Sequence, residues 1–225
     1  MRTVVSWSGG KDAALALAEC LDAPDVEVVE LLTTVSEETG RSSMHGVRRD
    51  LYERQAAAIG RPVRFVEIPE DASNAAYEER MATVADEYAA RGVDTVAFAD
   101  LYLEDIRAYR EDRLAETGID GTWPLWKRDT EAVARGFIDA GFRAIVVCVD
   151  GQALGQDFLG RSFDGAFLDA LPNTVDPCGE NGEFHTFVHD GPVFDAPVPV
   201  AVGETVTREP GDGVYHYLDL RESDV

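Results

Sequence analysis

The sequence predicts an α/β fold: a mostly parallel, doubly wound sheet followed by a smaller α+β region. Three observations predict it. Short β-branched apolar runs alternate with helical patterns from Thr3 to Val149. After about Gly151 the texture changes to glycine, proline and short alternating strands. The length, 225 residues, allows one large domain or one domain plus a small second one.

Thr3 to Trp7 forms the first strand, and Ser8-Gly9-Gly10 breaks it. Asp12 to Leu21 is an Ala/Leu-rich helix. Val26 to Thr34 is strand-like, Val47 to Ile59 helical, and Val63 to Ile68 a third strand after Pro62. Asn74 to Arg91 is a long helix that Gly92 ends. Val93 to Ala99 is the fourth strand, with Asp100 at its carboxyl end. Leu103 to Glu116 reads as a charged amphipathic helix, Thr130 to Ala140 as a helix before Gly141, and Ala144 to Val149 as a buried strand. Phe184 to His189, Val198 to Val202 and Val214 to Leu220 read as short strands. The alternation is Rossmann-like, with helices on both sheet faces and ligands at the carboxyl ends of the strands. Residues 1–122 are the expected nucleotide domain and 123–225 the expected substrate domain, with Gly118 to Pro124 as a candidate hinge and no obvious linker.

Twenty basic residues against 43 acidic ones give a formal charge of −23. Such a surface repels nucleic acid, which excludes general DNA or RNA binding. Lys11 and Lys127 are the only lysines. Acid excess with lysine depletion points to a halophilic protein, because carboxylates keep a chain hydrated and soluble in concentrated salt. The three cysteines exclude a disulfide scaffold and point to a reducing compartment, the cytoplasm. No apolar stretch approaches a membrane span, and the N-terminus does not read as a signal peptide. An oligomer is left open.

The turn Ser6-Trp7-Ser8-Gly9-Gly10-Lys11-Asp12 joins the first strand to the first helix. Its glycines let backbone approach an anion, and the helix amides attract phosphate. Ser8 offers a hydroxyl, Lys11 a positive charge, and Asp12 an oxygen suited to Mg2+. Neither the Walker A spacing nor G-x-G-x-x-G is present. The second block, Asp176-Pro177-Cys178-Gly179-Glu180-Asn181-Gly182-Glu183-Phe184-His185-Thr186-Phe187, combines a glycine turn with carboxylates and an imidazole. If the stretch after Gly182 is extended, Glu183 and His185 share a face, able to bind ammonium or move its proton. A solvated hairpin is the alternative. Cys178, Glu180, Glu183 and His185 lack a standard zinc spacing, and Cys178 is a nucleophile only with a depressed pKa. His45 either touches nucleotide or caps a helix. Asp100, Glu104 and Asp105 either orient substrate or magnesium or form a solvated charge cluster.

The SGGKD turn resembles the PP-loop of the N-type ATP pyrophosphatases, which cleave ATP between the α and β phosphates. Ala13 stands where that pattern has Ser or Thr. The GENGEFHTF block, with Gly191-Pro192-Val193-Phe194 and Pro124-Leu125-Trp126, resembles the diphthine–ammonia ligase family of the ATP-binding domain 4 type. The resemblance implies an adenine nucleotide α-hydrolase-like fold and an amide ligase forming an acyl-adenylate. ATP and Mg2+ would be held by Ser6, Ser8, Gly9, Gly10, Lys11, Asp12 and His45. Lys11, Asp12, Glu183 and His185 would be catalytic. Asp100, Glu104, Glu180, Asn181 and Glu183 would bind substrate. The implied partners are ATP, ammonium and diphthine-bearing translation elongation factor 2. The segments Ser43 to Val47 and Phe98 to Arg107 depart from the family pattern, so ATP chemistry carries over more safely than the acceptor. The alternatives are a nucleotide α-hydrolase with another substrate and a non-catalytic nucleotide-binding protein. A ligase needs the two blocks to face each other across one cleft.

Overall fold

The computed structural model describes residues 1–69, 71–209, 211 and 213–223. Strand β1 (Arg2–Ser6) has apolar residues on both faces: Val4 packs into one core cluster and Val5 into another. A strand buried on both sides needs a helical layer on each, and the chain supplies them. Helices α1 (Lys11–Asp22), α2 (Arg49–Ile59) and α5 (Thr130–Asp139) pack on the Val5 side. Helix α3 (Asn74–Ala90) packs Val84 and Tyr88 on the Val4 side. Strands β2 (Glu27–Ser36), β3 (Val63–Ile68), β4 (Thr95–Ala97) and β5 (Asp120–Thr122) complete a five-stranded sheet in the order β3-β2-β1-β4-β5. Every pair in it is parallel.

The second sheet is antiparallel. Strands β6 (Arg143–Asp150), β7 (Phe184–Asp190), β8 (Val200–Arg208) and β9 (Tyr215–Glu222) run in the order β7-β6-β9-β8. It does not have a core of its own. Phe187 and Val188 of β7 and Leu218 and Leu220 of β9 belong to the same apolar cluster as Ala13 and Leu17 of α1 and Leu51 of α2. The first helical layer is therefore covered on two sides, by one sheet below and another above.

Several expectations are corrected. The hinge at Gly118 to Pro124 contains β5, in register with β4 from Thr95↔Asp120 to Ala97↔Thr122. Asp-Gly-Thr carries turn chemistry locally, but the open edge of β4 supplies the pairing that decides its state. The expected amphipathic helix at Leu103 to Glu116 is α4 (Glu104–Leu114), and it buries no residue. The last two strands are longer than read, and the short helix α6 (Gly165–Ala170) was not foreseen. Among the described residues, no helix is long and apolar enough to cross a membrane.

Candidate functional site

The glycine turn follows β1 at the carboxyl edge of the parallel sheet. Gly10 caps α1 without a side-chain bond of its own, so the α1 amides need outside acceptors. One comes from the second sheet: the Lys11 amide donates to the Thr186 hydroxyl at 3.0 Å. Ser8 Oγ accepts from the Gly10 amide at 3.3 Å. Gly9 has φ +72°, and a Cβ there would lie 2.7 Å from the Tyr52 ring and 2.8 Å from Gln55 Oε1. Glycine is required at this position by conformation and by space.

The acidic turn at 176–183 is held by its own side chains. Asp176 Oδ1 accepts from the amides of Cys178 at 2.8 Å and Glu180 at 3.2 Å. Glu183 is 8% exposed and spends both carboxylate oxygens on the turn. Oε1 accepts from the Asp176 amide and the Asn181 side chain, Oε2 from the Asn181 amide, each at 3.0 Å. Burial works against the Glu183 carboxylate, but these bonds outweigh it and hold its pKa below the usual value. Glu180 leaves the turn instead. Its Oε1 accepts from the Leu101 amide at 2.7 Å and the Tyr102 amide at 3.4 Å, just beyond β4. Burial pushes the Glu180 carboxyl up to about 7, against those bonds.

Lys11 joins the two turns. Its ammonium is 3% exposed and donates to the Cys178 carbonyl and, at 2.7 Å, to Asp12 Oδ2. The rings of Phe163 and Phe184 lie 5.7 and 5.3 Å from it. Burial disfavours the ammonium, yet Asp12, Cys178 and Glu180 together outweigh it, and the Lys11 pKa sits above its ordinary value. The other Asp12 oxygen, Oδ1, is buried without a hydrogen-bond partner. Burial, against the Lys11 charge, raises the Asp12 pKa, and a carboxylate oxygen left bare in that way suits a hard cation.

A cleft of about 1130 Å³ opens beside the glycine turn, lined by Ser6, Ser8, Thr34, Ser42, His45 and Phe98 and walled by α3 and α4. Its size and its place outside the carboxyl ends of the strands suit a nucleotide. His45 and His185 meet across the site with ring centroids 4.5 Å apart. Burial, then His185 and Lys11, holds His45 well below the usual imidazole value. Burial, then Lys11, brings His185 down to about 4. Burial thus favours the neutral form of both rings. The loop carrying His45 is anchored from β9, where Asp219 accepts from Arg41 at 2.6 Å and Arg48 at 2.9 Å. The Arg48 bond, against burial, keeps Asp219 well below the usual carboxylate range.

Of the expected residues, Ser6, Ser8 and His45 line the cleft, while contacts join Lys11 and Asp12 to the 176–186 block and His45 to His185. Asp100 lies near but faces α4, pairing with Arg110 at 3.2 Å and accepting from the Trp123 indole at 3.3 Å. Glu104 is exposed at the start of α4 and pairs with Lys127 at 3.3 Å. Burial pushes the Cys178 thiol up to about 12, so it is not an activated nucleophile. Among the described residues, no cluster of three or more His, Cys, Asp or Glu is arranged around a metal position. Sequence reasoning missed Thr186, Tyr102 and Gln55. Gln55 had a signal, a polar residue on the apolar face Leu51, Tyr52, Ala56, Ile59 of α2.

Comparison with known proteins agrees with this geometry. The diphthamide synthase N-terminal domain matches residues 1–120, and the diphthamide synthase C-terminal domain matches residues 129–218. A diphthine–ammonia ligase of Danio rerio is 27% identical over 228 residues, covering 92% of this chain and 89% of that protein. One from Schizosaccharomyces pombe is 30% identical over 96 residues, covering 40% of this chain and 16% of that protein. The Homo sapiens protein of the same name is 33% identical over 87 residues, covering 36% of this chain and 33% of its own length. With both halves matched, and with the glycine turn and the acidic turn in direct contact, the chain belongs to the diphthamide synthase family.

Proposed function

We propose that this chain is an ATP-dependent amide ligase that converts diphthine, ammonia and ATP to diphthamide, AMP and pyrophosphate. The observation that carries this reading is the double contact of Lys11 with the acidic block, through its amide to Thr186 and its ammonium to Cys178. Phosphate donors and amine-handling carboxylates then share one site, and an acyl-adenylate meets its amine before water does.

In this reading the acceptor carboxylate attacks the α phosphorus and pyrophosphate leaves. The α1 amides, Ser8 and the Lys11 charge stabilise the negative charge that develops there. Asp12 Oδ1 would hold Mg2+, which would supply positive charge against that of the phosphates. Ammonium becomes nucleophilic only after losing a proton. Glu180, with a pKa near neutrality and its Oε1 fixed by the β4–α4 loop, is the acceptor we assign. Ammonia then forms the C–N bond, the acyl C–O bond breaks, AMP departs, and the surplus proton on nitrogen passes to the departing AMP or to water. Glu183 serves by holding the turn, and neutral His185 and His45 line the route between the two reactants.

The division of labour we assign is nucleotide binding by residues 1–122 and acceptor binding by 123–225. The acceptor would be diphthine-bearing elongation factor 2, the compartment the cytoplasm, and the solvent concentrated salt. The test is incubation with ATP, ammonium and diphthine-bearing factor in molar KCl. AMP and pyrophosphate should appear in step with the carboxylate-to-amide mass change on the factor. ADP as the main nucleotide product, or no mass change, overturns the reading.

A further inference from the structure

We infer that Gln55 is a positioning residue that aims the glycine turn at the nucleotide; the inference rests on the ATP-site reading above. Gln55 is fully buried on the core face of α2, where its neighbours on that face are Leu51, Tyr52, Ala56 and Ile59. A buried amide is costly unless bonded, and this one is bonded on both sides. Its Oε1 accepts from the Trp7 indole at 2.9 Å. Its Nε2 donates to the Gly9 carbonyl at 3.0 Å and the Val188 carbonyl at 2.6 Å. One side chain thus ties the end of β1, the phosphate turn and β7 of the other sheet.

The bond to Gly9 has a directional consequence. In a trans peptide the C=O and the next N–H point in opposite directions. Holding the Gly9 carbonyl inward, with the Val188 amide as second donor at 2.9 Å, turns the Gly10 N–H outward. There it meets Ser8 Oγ, on the residue that lines the cleft. A hydrophobic residue at position 55 fills the same space but removes one of the donors that hold that peptide plane, and the acceptor of the Trp7 indole. Gln55 acts through Gly10 and Ser8 and touches no reactant.

The test uses the full chain with Gln55→Glu and Gln55→Met. Gln55→Glu keeps the shape and the Trp7 bond but sets a carboxylate against two carbonyls. Thr3→Val is the comparison, since it removes a buried hydroxyl pair, Thr3 to Thr95 at 2.6 Å, at the opposite end of the strands. Both Gln55 variants should lose roughly 10- to 100-fold in kcat for AMP formation, the scale of a small misplacement, with KM for ATP within about threefold. Thr3→Val should lower the melting temperature without moving either constant. Amide exchange at Gly10, which needs no turnover, should rise about tenfold in Gln55→Glu, as for loss of one ordinary hydrogen bond. Unchanged Gly10 exchange in folded Gln55→Glu overturns the inference, whatever the wild type does to ATP. Raised Gly10 exchange beside a wild type that makes ADP or no product sinks the ligase reading and leaves the positioning role standing.

Discussion

The glycine turn and the acidic turn each carry a pair of glycines and are built in opposite ways. The glycine turn is held from outside, by Gln55 and Tyr52 of α2 and by Thr186 of β7. The acidic turn is held from within, by Asp176 and Glu183 accepting its own amides. The difference follows from what each carries. The glycine turn has one acceptor side chain of its own, Ser8, which takes the Gly10 amide, so its remaining anchors come from α2 and β7. A carboxylate turn has acceptors to spare, and saturating its amides with two of them fixes the third, Glu180, for export to the β4–α4 loop. Glu180 and Glu183 are three residues apart, yet their pKa values move in opposite directions, up to about 7 and downward.

The largest expected effect comes from breaking the bond that unites the turns. Lys11→Ala should lower AMP formation by roughly 10²-fold or more, the scale for losing one charge-stabilising donor. Retained turnover in that variant would remove Lys11 from the site. Asp12→Asn sharpens the contrast on the phosphate side. It should raise the Mg2+ concentration needed for half-maximal AMP formation on the order of tenfold, and an unshifted Mg2+ titration assigns the ion elsewhere.

On the acidic side, Glu183→Ala orphans three donors and should cost about 3 kcal/mol in urea unfolding. Its pH behaviour follows from its depressed pKa. Its stabilisation is present above the unfolded value, about 4.3, and is lost as pH falls through the folded value. Glu183→Gln should therefore flatten the acid limb of the melting curve. Glu180 has the opposite sign. A raised folded pKa favours the protonated form, so its contribution falls as pH rises from about 4.3 to about 7. Glu180→Gln should melt a few degrees above wild type at pH 8, and the gap should close on acidification. A gap independent of pH would show that Glu180 is not the group titrating.

The smallest effect concerns salt. The formal charge is −23, and lowering KCl from molar to about 0.1 M lengthens screening from about 3 to about 10 Å. The melting temperature should fall. Amide exchange should rise more at 176–183, where carboxylates crowd, than at 8–12, where Lys11 balances Asp12. Equal changes in both turns would mean that salt acts on net charge alone, and a melting temperature indifferent to KCl removes the halophilic reading.

Local order was legible in the chain because its causes are local. The β-branched runs, the glycine stops and the SGGKD turn each carry their signal within a few residues. Thr186 was in view inside the second block, yet nothing local says that its hydroxyl receives the Lys11 amide 175 positions away. The strand at Asp120–Thr122 was unreadable for the same reason, since its pairing energy comes from β4. Helix α4 misled in the other direction: its pattern promised a buried apolar face, but it buries no residue and packs instead through half-buried Leu114 and through Arg107 and Arg110 laid over Trp123, Trp126 and Phe98.

The sequence by itself determined the alternation of elements, the chemistry of the two blocks and the acid excess, all properties of composition and short-range periodicity. The tertiary structure alone decided which carboxylate closes its own turn and which reaches across to the β4–α4 loop. Glu180 and Glu183 are the same residue type in the same segment, and only the amides that happen to surround each one set its role. It also decided that the Lys11 ammonium is buried between two turns and two phenylalanine rings. Burial and hydrogen bonding depend on groups brought together from distant parts of the chain, and no local pattern records them.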